Sequence, residues 1–158
     1  MRVLALSCCA ALFVACAKAD QDTATDTAAG ATETAPTATI SLADVAGKWN
    51  VASKPESGTD TTSTRYVLNA TAERTGWTIT FADRPRQPVA LRVVAVEGDS
   101  IVTETGPFES VRRRGVQVTT RAVLRKEGDR LVGSTRARYA STGADTVLIL
   151  RTEGTRAP

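Results

Sequence analysis

The chain has 158 residues, 20 basic and 17 acidic side chains, three cysteines and no histidine. Every cysteine (Cys8, Cys9, Cys16) lies at the N-terminal end, so the rest of the chain has no disulfide, thiol nucleophile, imidazole base or Cys/His metal site. Setting aside Arg2 and Lys18, and Asp20, Asp22, Asp26 and Glu33, leaves eighteen basic against thirteen acidic groups from residue 40 onward; that balance serves either solubility or an anionic partner.

In chain order, Arg2 supplies a positive start and Val3 to Val14 a short apolar run, below the roughly 20 residues a membrane-spanning helix needs. These are the parts of a signal peptide over residues 1–15. Phe13-Val14-Ala15-Cys16 resembles the bacterial lipobox, with Phe13 where leucine is usual. The resemblance implies that Cys16 is acylated and becomes the new N-terminus, and two or more acyl chains give stable anchoring where one does not. Ala17-Lys18-Ala19 offers an alternative cleavage before Asp20 that releases a soluble secreted protein. Ala17 is not the aspartate that marks inner-membrane retention, so the expected location is the outer membrane, with the domain facing the periplasm or the surface. The rest of 16–39 is almost entirely Thr, Ala, Asp and Glu. Such a stretch buries too little apolar surface to offset its ordering entropy and is expected to be a tether.

The third region, 40–158, changes character. Ser41-Leu42-Ala43-Asp44 has the spacing of a capped helical turn. After it the apolar residues alternate with period two, most clearly in Trp77-Thr78-Ile79-Thr80-Phe81. The pattern predicts eight strands near 47–53, 63–72, 76–82, 88–97, 100–111, 116–126, 130–140 and 145–153, with Gly106-Pro107 interrupting the fifth. Gly98-Asp99 and Gly128-Asp129 have the composition of two-residue hairpin turns. They sit in an internal echo, Arg92 to Val102 against Arg121 to Val132. The expected fold is therefore all-β, an eight-stranded antiparallel up-and-down meander closing into a small barrel, which removes exposed sheet edges. The competitor is a β-sandwich, which needs longer crossover loops.

Gly47-Lys48-Trp49, followed by the long loop Lys54 to Thr62, resembles the lipocalin superfamily. The usual C-terminal helix and mid-chain motif of that family are absent. The resemblance implies that Trp49 plugs the closed end of the barrel and that an arginine near the end of the last strand, Arg151 or Arg156, packs across it.

In a meander, alternate loops fall at opposite ends. The tight turns share the closed end with Trp49. The longer loops share the open end, with Lys54, Arg84, Arg86, Arg112, Arg113 and Arg114 in or beside them. They form either a basic rim that favours carboxylate or phosphate, or a set of solvated turns. Tyr66, Trp77, Phe81 and Tyr139 are expected inside and are the aromatic candidates for ligand contact. If Gly98-Asp99 is a simple two-residue turn, Arg92 faces Thr105 and Val93 faces Glu104, and one charge enters the barrel with either face. Matching the second hairpin places Arg92 inside, where it would meet a ligand's acidic head. The alternative is a bulge that lets Arg92 reach solvent.

Small interior residues leave open a barrel filled by its own side chains or one with a cavity. The leading expectation is a binding module for a small apolar or anionic amphipathic ligand; the second is a filled barrel that contacts another envelope component. No catalytic residue, cofactor or metal is assigned, and nucleic acid is not an expected partner because no stacking aromatics accompany the arginines. The oligomeric state is left open.

Overall fold

The computed structural model describes residues 39–142 and 146–158. The signal peptide, Cys16 and nearly all of the expected tether lie outside the described residues.

Chain order begins with a local device. Asp44 N donates to Ser41 Oγ at 3.3 Å, and Ser41 N donates to the Asp44 carboxylate at 2.7 Å. This capping box holds α1 (Leu42–Val45), a single turn too short to persist alone. Eight strands follow: β1 (Gly47–Pro55), β2 (Thr64–Ala70), β3 (Trp77–Phe81), β4 (Val89–Glu97), β5 (Ser100–Glu109), β6 (Gln117–Glu127), β7 (Arg130–Tyr139) and β8 (Val147–Arg156). Each pairs with the next, antiparallel, and β8 returns to β1 to close an eight-stranded barrel. The expected meander is the observed one, and it is consistent with a lipocalin-like fold.

Period two explains the interior. In β3, Trp77, Ile79 and Phe81 are buried while Thr78 and Thr80 remain half-exposed. Leu68, Ile101 and Leu131 join Trp49 and Trp77 among the most deeply buried side chains. Burying each such group contributes on the order of 1.5–3 kcal/mol. Gly133 has no room for a side chain, because a Cβ there would lie 1.9 Å from the Val123 carbonyl oxygen on the neighbouring strand.

Two bulges modify the simple pattern. In β5, Thr105 pairs with Thr120 and Phe108 with Val118, so Gly106 and Pro107 bulge out of the ladder while the strand itself continues to Glu109. The expected interruption is thus one of pairing, not of the strand. In β4 the register shifts between Val93 and Ala95. Val94 becomes the extra residue, and the inward set changes from Leu91 and Val93 below it to Val96 above. β8 also runs to Arg156, three residues beyond its expected end, because its last residues complete the pairing with β1.

Candidate functional site

The closed end is built around Trp49, which is fully buried. Its indole Nε1 donates to the Val45 carbonyl at 2.8 Å, so the capped turn α1 supplies the acceptor. Arg156 lies over the indole ring at 4.5 Å, a cation–π contact. Its guanidinium donates to the carbonyls of Asp44, at 3.0 Å, and Ala46. Gly47 must lack a side chain: its φ is +123° and a Cβ would lie 2.6 Å from Arg156 Nη1. Of the two arginines offered for this role, Arg156 fills it. Arg151 points outward from β8 and pairs with Glu153 at 3.0 Å.

Trp77 belongs to this end as well. It begins β3 and donates Nε1 to Glu73 O at 2.8 Å. Although buried, it does not line the open-end cavity and is no ligand contact there, because its register position puts it beside the closed-end turn.

At the open end a cavity of about 60 Å³ lies among Tyr66, Phe81, Phe108, Val118, Tyr139 and Leu150. Phe81 packs edge-on to Tyr66, with centroids 5.7 Å apart, and tilted against Phe108 at 5.5 Å. Beneath it runs a chain of hydroxyls: Tyr66 to Ser53 at 3.3 Å, Ser53 to Thr152 at 2.9 Å, and Thr152 to Thr135 at 2.8 Å. Burial pushes the Tyr66 phenol above its ordinary value, partly opposed by hydrogen bonds from its hydroxyl neighbours. Of the aromatic candidates, Tyr66, Phe81 and Tyr139 meet at this cavity. Phe108 joins them, and simple alternation does not point it inward, because its direction follows from the β5 bulge.

The mouth arginines are largely occupied. Arg112 pairs with Asp60 and donates to Thr62 O at 2.9 Å and Thr64 Oγ1 at 3.0 Å. It thereby straps the β5–β6 loop to the β1–β2 loop. Ser110 Oγ accepts from the backbone N–H groups of Arg112 and Arg113, which shapes the turn that presents them. The Arg113 guanidinium lies 4.1 Å over the Tyr139 ring. Arg84 donates to Glu109 O at 3.0 Å and lies 3.6 Å from its carboxylate. Lys54, Arg86 and Arg114 are exposed. The expected cluster therefore divides into structural straps and solvated charges.

Arg92 corrects the expectation that placed it inside. Its side chain is 74 % exposed and donates to Glu104 at 2.8 Å. The β4 bulge is the reason: Arg92 faces Glu104 and Val93 faces Thr103, one step from the simple hairpin register. Both charges reach the outer face and neither enters the barrel. Arg92 instead begins a row across four strands, with Glu104 opposite Arg121 and Arg121 opposite Arg136. Glu104 also accepts from Arg121 at 2.6 Å. Hydrogen bonds from Arg121 and then Arg92 hold the Glu104 carboxyl below its ordinary value. Alternation in β6 and β7 marks these arginines as outward, but only the register reveals the row.

No family model, curated protein or solved structure matches this chain.

Proposed function

We propose that the protein is an exported, lipid-anchored envelope lipoprotein whose lipocalin-like barrel is filled and works through its surface, as an interaction module for another envelope component. The cavity volume carries this reading. Small-molecule sites occupy roughly 300–1,000 Å³, whereas the open-end cavity offers about 60 Å³, and the Arg112–Asp60 strap ties down the loops around it. The anchoring half of the proposal rests on the lipobox resemblance at Cys16 and places the domain at the outer membrane.

Native mass spectrometry of the protein purified from its own membrane tests the filled barrel. The expected spectrum shows the chain with its anchor and no separate lipid. A stoichiometric lipid that survives Cys16→Ser, and is lost on filling the cavity by Thr120→Leu at a threonine of its wall, would overturn the reading. Cys16→Ser is also expected to shift the protein from the membrane to the soluble fraction; unchanged membrane association would remove the anchor.

A second reading keeps one observation in its favour. The exposed wall of the cavity is mostly aromatic and aliphatic, with serine and threonine hydroxyls and Arg112 among its lining residues, and that apolar wall is what a small apolar group would select. In that reading the barrel admits the end of an amphipathic ligand, with Arg112 and Arg113 near its head.

A further inference from the structure

The outer wall holds an arrangement that the interior does not explain. Arg121 on β6 stands directly opposite Arg136 on β7, and like charges in that position destabilise a sheet. Glu104 is the carboxylate of this cross-strand row and is already shared by Arg92 and Arg121. Arg136 and Arg138 have no acidic partner among the described residues. Both project outward, since Ala137 between them is buried.

The backbone makes the place concave. β4 and β5 stay paired up to Leu91 and Thr105; beyond that point Val89 and Ala90 pair with β3 alone, and Gly106-Pro107 bulges away. The resulting groove has a volume of about 530 Å³. Its floor includes Thr105, Gly106 and Thr119, and four arginines (Arg92, Arg121, Arg136, Arg138) surround it with Glu104. Four guanidinium groups against one carboxylate leave a local excess of positive charge. Arginine's planar fork matches phosphate oxygens in paired hydrogen bonds.

We propose that this groove binds a phosphate-bearing group, with Arg136 and Arg138 as the principal contacts and Arg121 completing the cradle. The proposal rests on the reading that the barrel works through its surface. It gives that surface a ligand chemistry: a phosphomonoester or diphosphate, either free or on a lipid headgroup.

Titration of the full chain in neutral detergent with inorganic pyrophosphate, at low salt, tests it. Binding is expected, and Arg136→Ser/Arg138→Ser weakens it about tenfold or more. Arg125→Ser/Arg151→Ser removes the same charge from the same wall outside the groove and is expected to change affinity by no more than about twofold. Glu104→Gln releases Arg92 and Arg121 and tightens binding. Competition by phosphatidylcholine vesicles containing phosphatidic acid, but not by phosphatidylcholine alone, identifies a lipid headgroup as the source; absence of competition identifies a free phosphate compound. The proposal is overturned by lack of pyrophosphate binding, by equal loss in both double variants, or by polyglutamate binding with the same affinity. A lipid found inside the barrel would defeat the filled-barrel reading and leave this groove standing, whereas lost pyrophosphate binding would remove the groove alone.

Discussion

The two ends of the barrel use arginine over an aromatic ring in opposite ways. At the closed end Arg156 covers Trp49 and also satisfies two carbonyls of the turn that caps the base. There the ring is fully buried and its N–H is bonded, so the guanidinium completes a packed unit. At the open end Arg113 covers Tyr139, but a small cavity lies beside that ring and the neighbouring Arg112 holds loops to one another. The first arrangement fastens the fold. The second closes a mouth whose packing is incomplete. Stability is therefore expected to concentrate at the base and tolerance to substitution at the mouth.

The largest expected effect is at the base. Trp49→Ala should lower unfolding free energy by about 3–5 kcal/mol through loss of buried area and an unfilled cavity. Urea or thermal denaturation reads this directly, and a loss no greater than that of a mouth variant would erase the contrast. Arg156→Met keeps an apolar stem over the ring but leaves the Asp44 and Ala46 carbonyls without the guanidinium, so a smaller loss of about 1–3 kcal/mol is expected. Its destabilisation should shrink when Trp49 is already replaced, which a double-mutant cycle measures.

At the mouth, Tyr66→Phe removes one end of the hydroxyl chain and should cost about 0.5–1.5 kcal/mol. The same tyrosine is expected to make the fold alkali-sensitive. Its folded pKa lies above the ordinary value of 10.0, so the protonated form is preferred in the barrel. That contribution is fully present below pH 10.0 and is lost as pH rises towards the folded value. Stability measured from neutral pH upward should therefore fall less steeply in Tyr66→Phe than in the parent chain.

The smallest expected effect is acid sensitivity from exposed carboxylates. Asp60 is held below its ordinary 3.8, chiefly by hydrogen bonds from Thr62 and then by Arg112. Glu104 is likewise below 4.5. Each stabilises the fold above its ordinary value, and that contribution disappears as pH falls through the lowered folded value. Both groups are open to solvent, so salt should blunt the effect. Asp60→Asn should flatten the acid limb of the stability profile, and added salt should remove only the smaller share owed to Arg112 while the share owed to the Thr62 hydrogen bonds persists; a change abolished entirely by salt would locate the effect in the ion pair.

The paired hairpins show where reading from residues stops. In β6 and β7, Arg121, Val123 and Arg125 point out while Ala122 and Leu124 point in, and the register runs without a shift from Val118 opposite Tyr139 to Glu127 opposite Arg130. Alternation alone recovers that hairpin. The β4–β5 hairpin has nearly the same turn, yet Arg92 is one residue nearer its glycine than Arg121 is to its own. Strict alternation then sends Arg92 inward with Val94 and Val96, and turns Leu91 and Val93 outward. One bulged residue reverses that outcome at the cost of a local ladder irregularity, and burying Leu91 and Val93 in place of a charge is the larger gain. The direction of Phe108 depends on a second shift of the same kind. A bulge leaves little trace in composition, because its energy is decided by contacts on neighbouring strands.

What the sequence determined by itself is the class of fold and the tools at its base. Period-two alternation, short turns and the Gly47–Trp49 pair specify an all-β meander, since each strand must bury one face and the first tryptophan needs an acceptor and a cover. The absence of histidine and the confinement of cysteine to the N-terminal end likewise follow from the residues alone. Only the tertiary structure decided between Arg151 and Arg156, turned Arg92 outward, reduced the interior to a small cavity and assembled the outer row of arginines. Those features depend on register and on how tightly strands approach, and both are set by the summed packing of all eight strands.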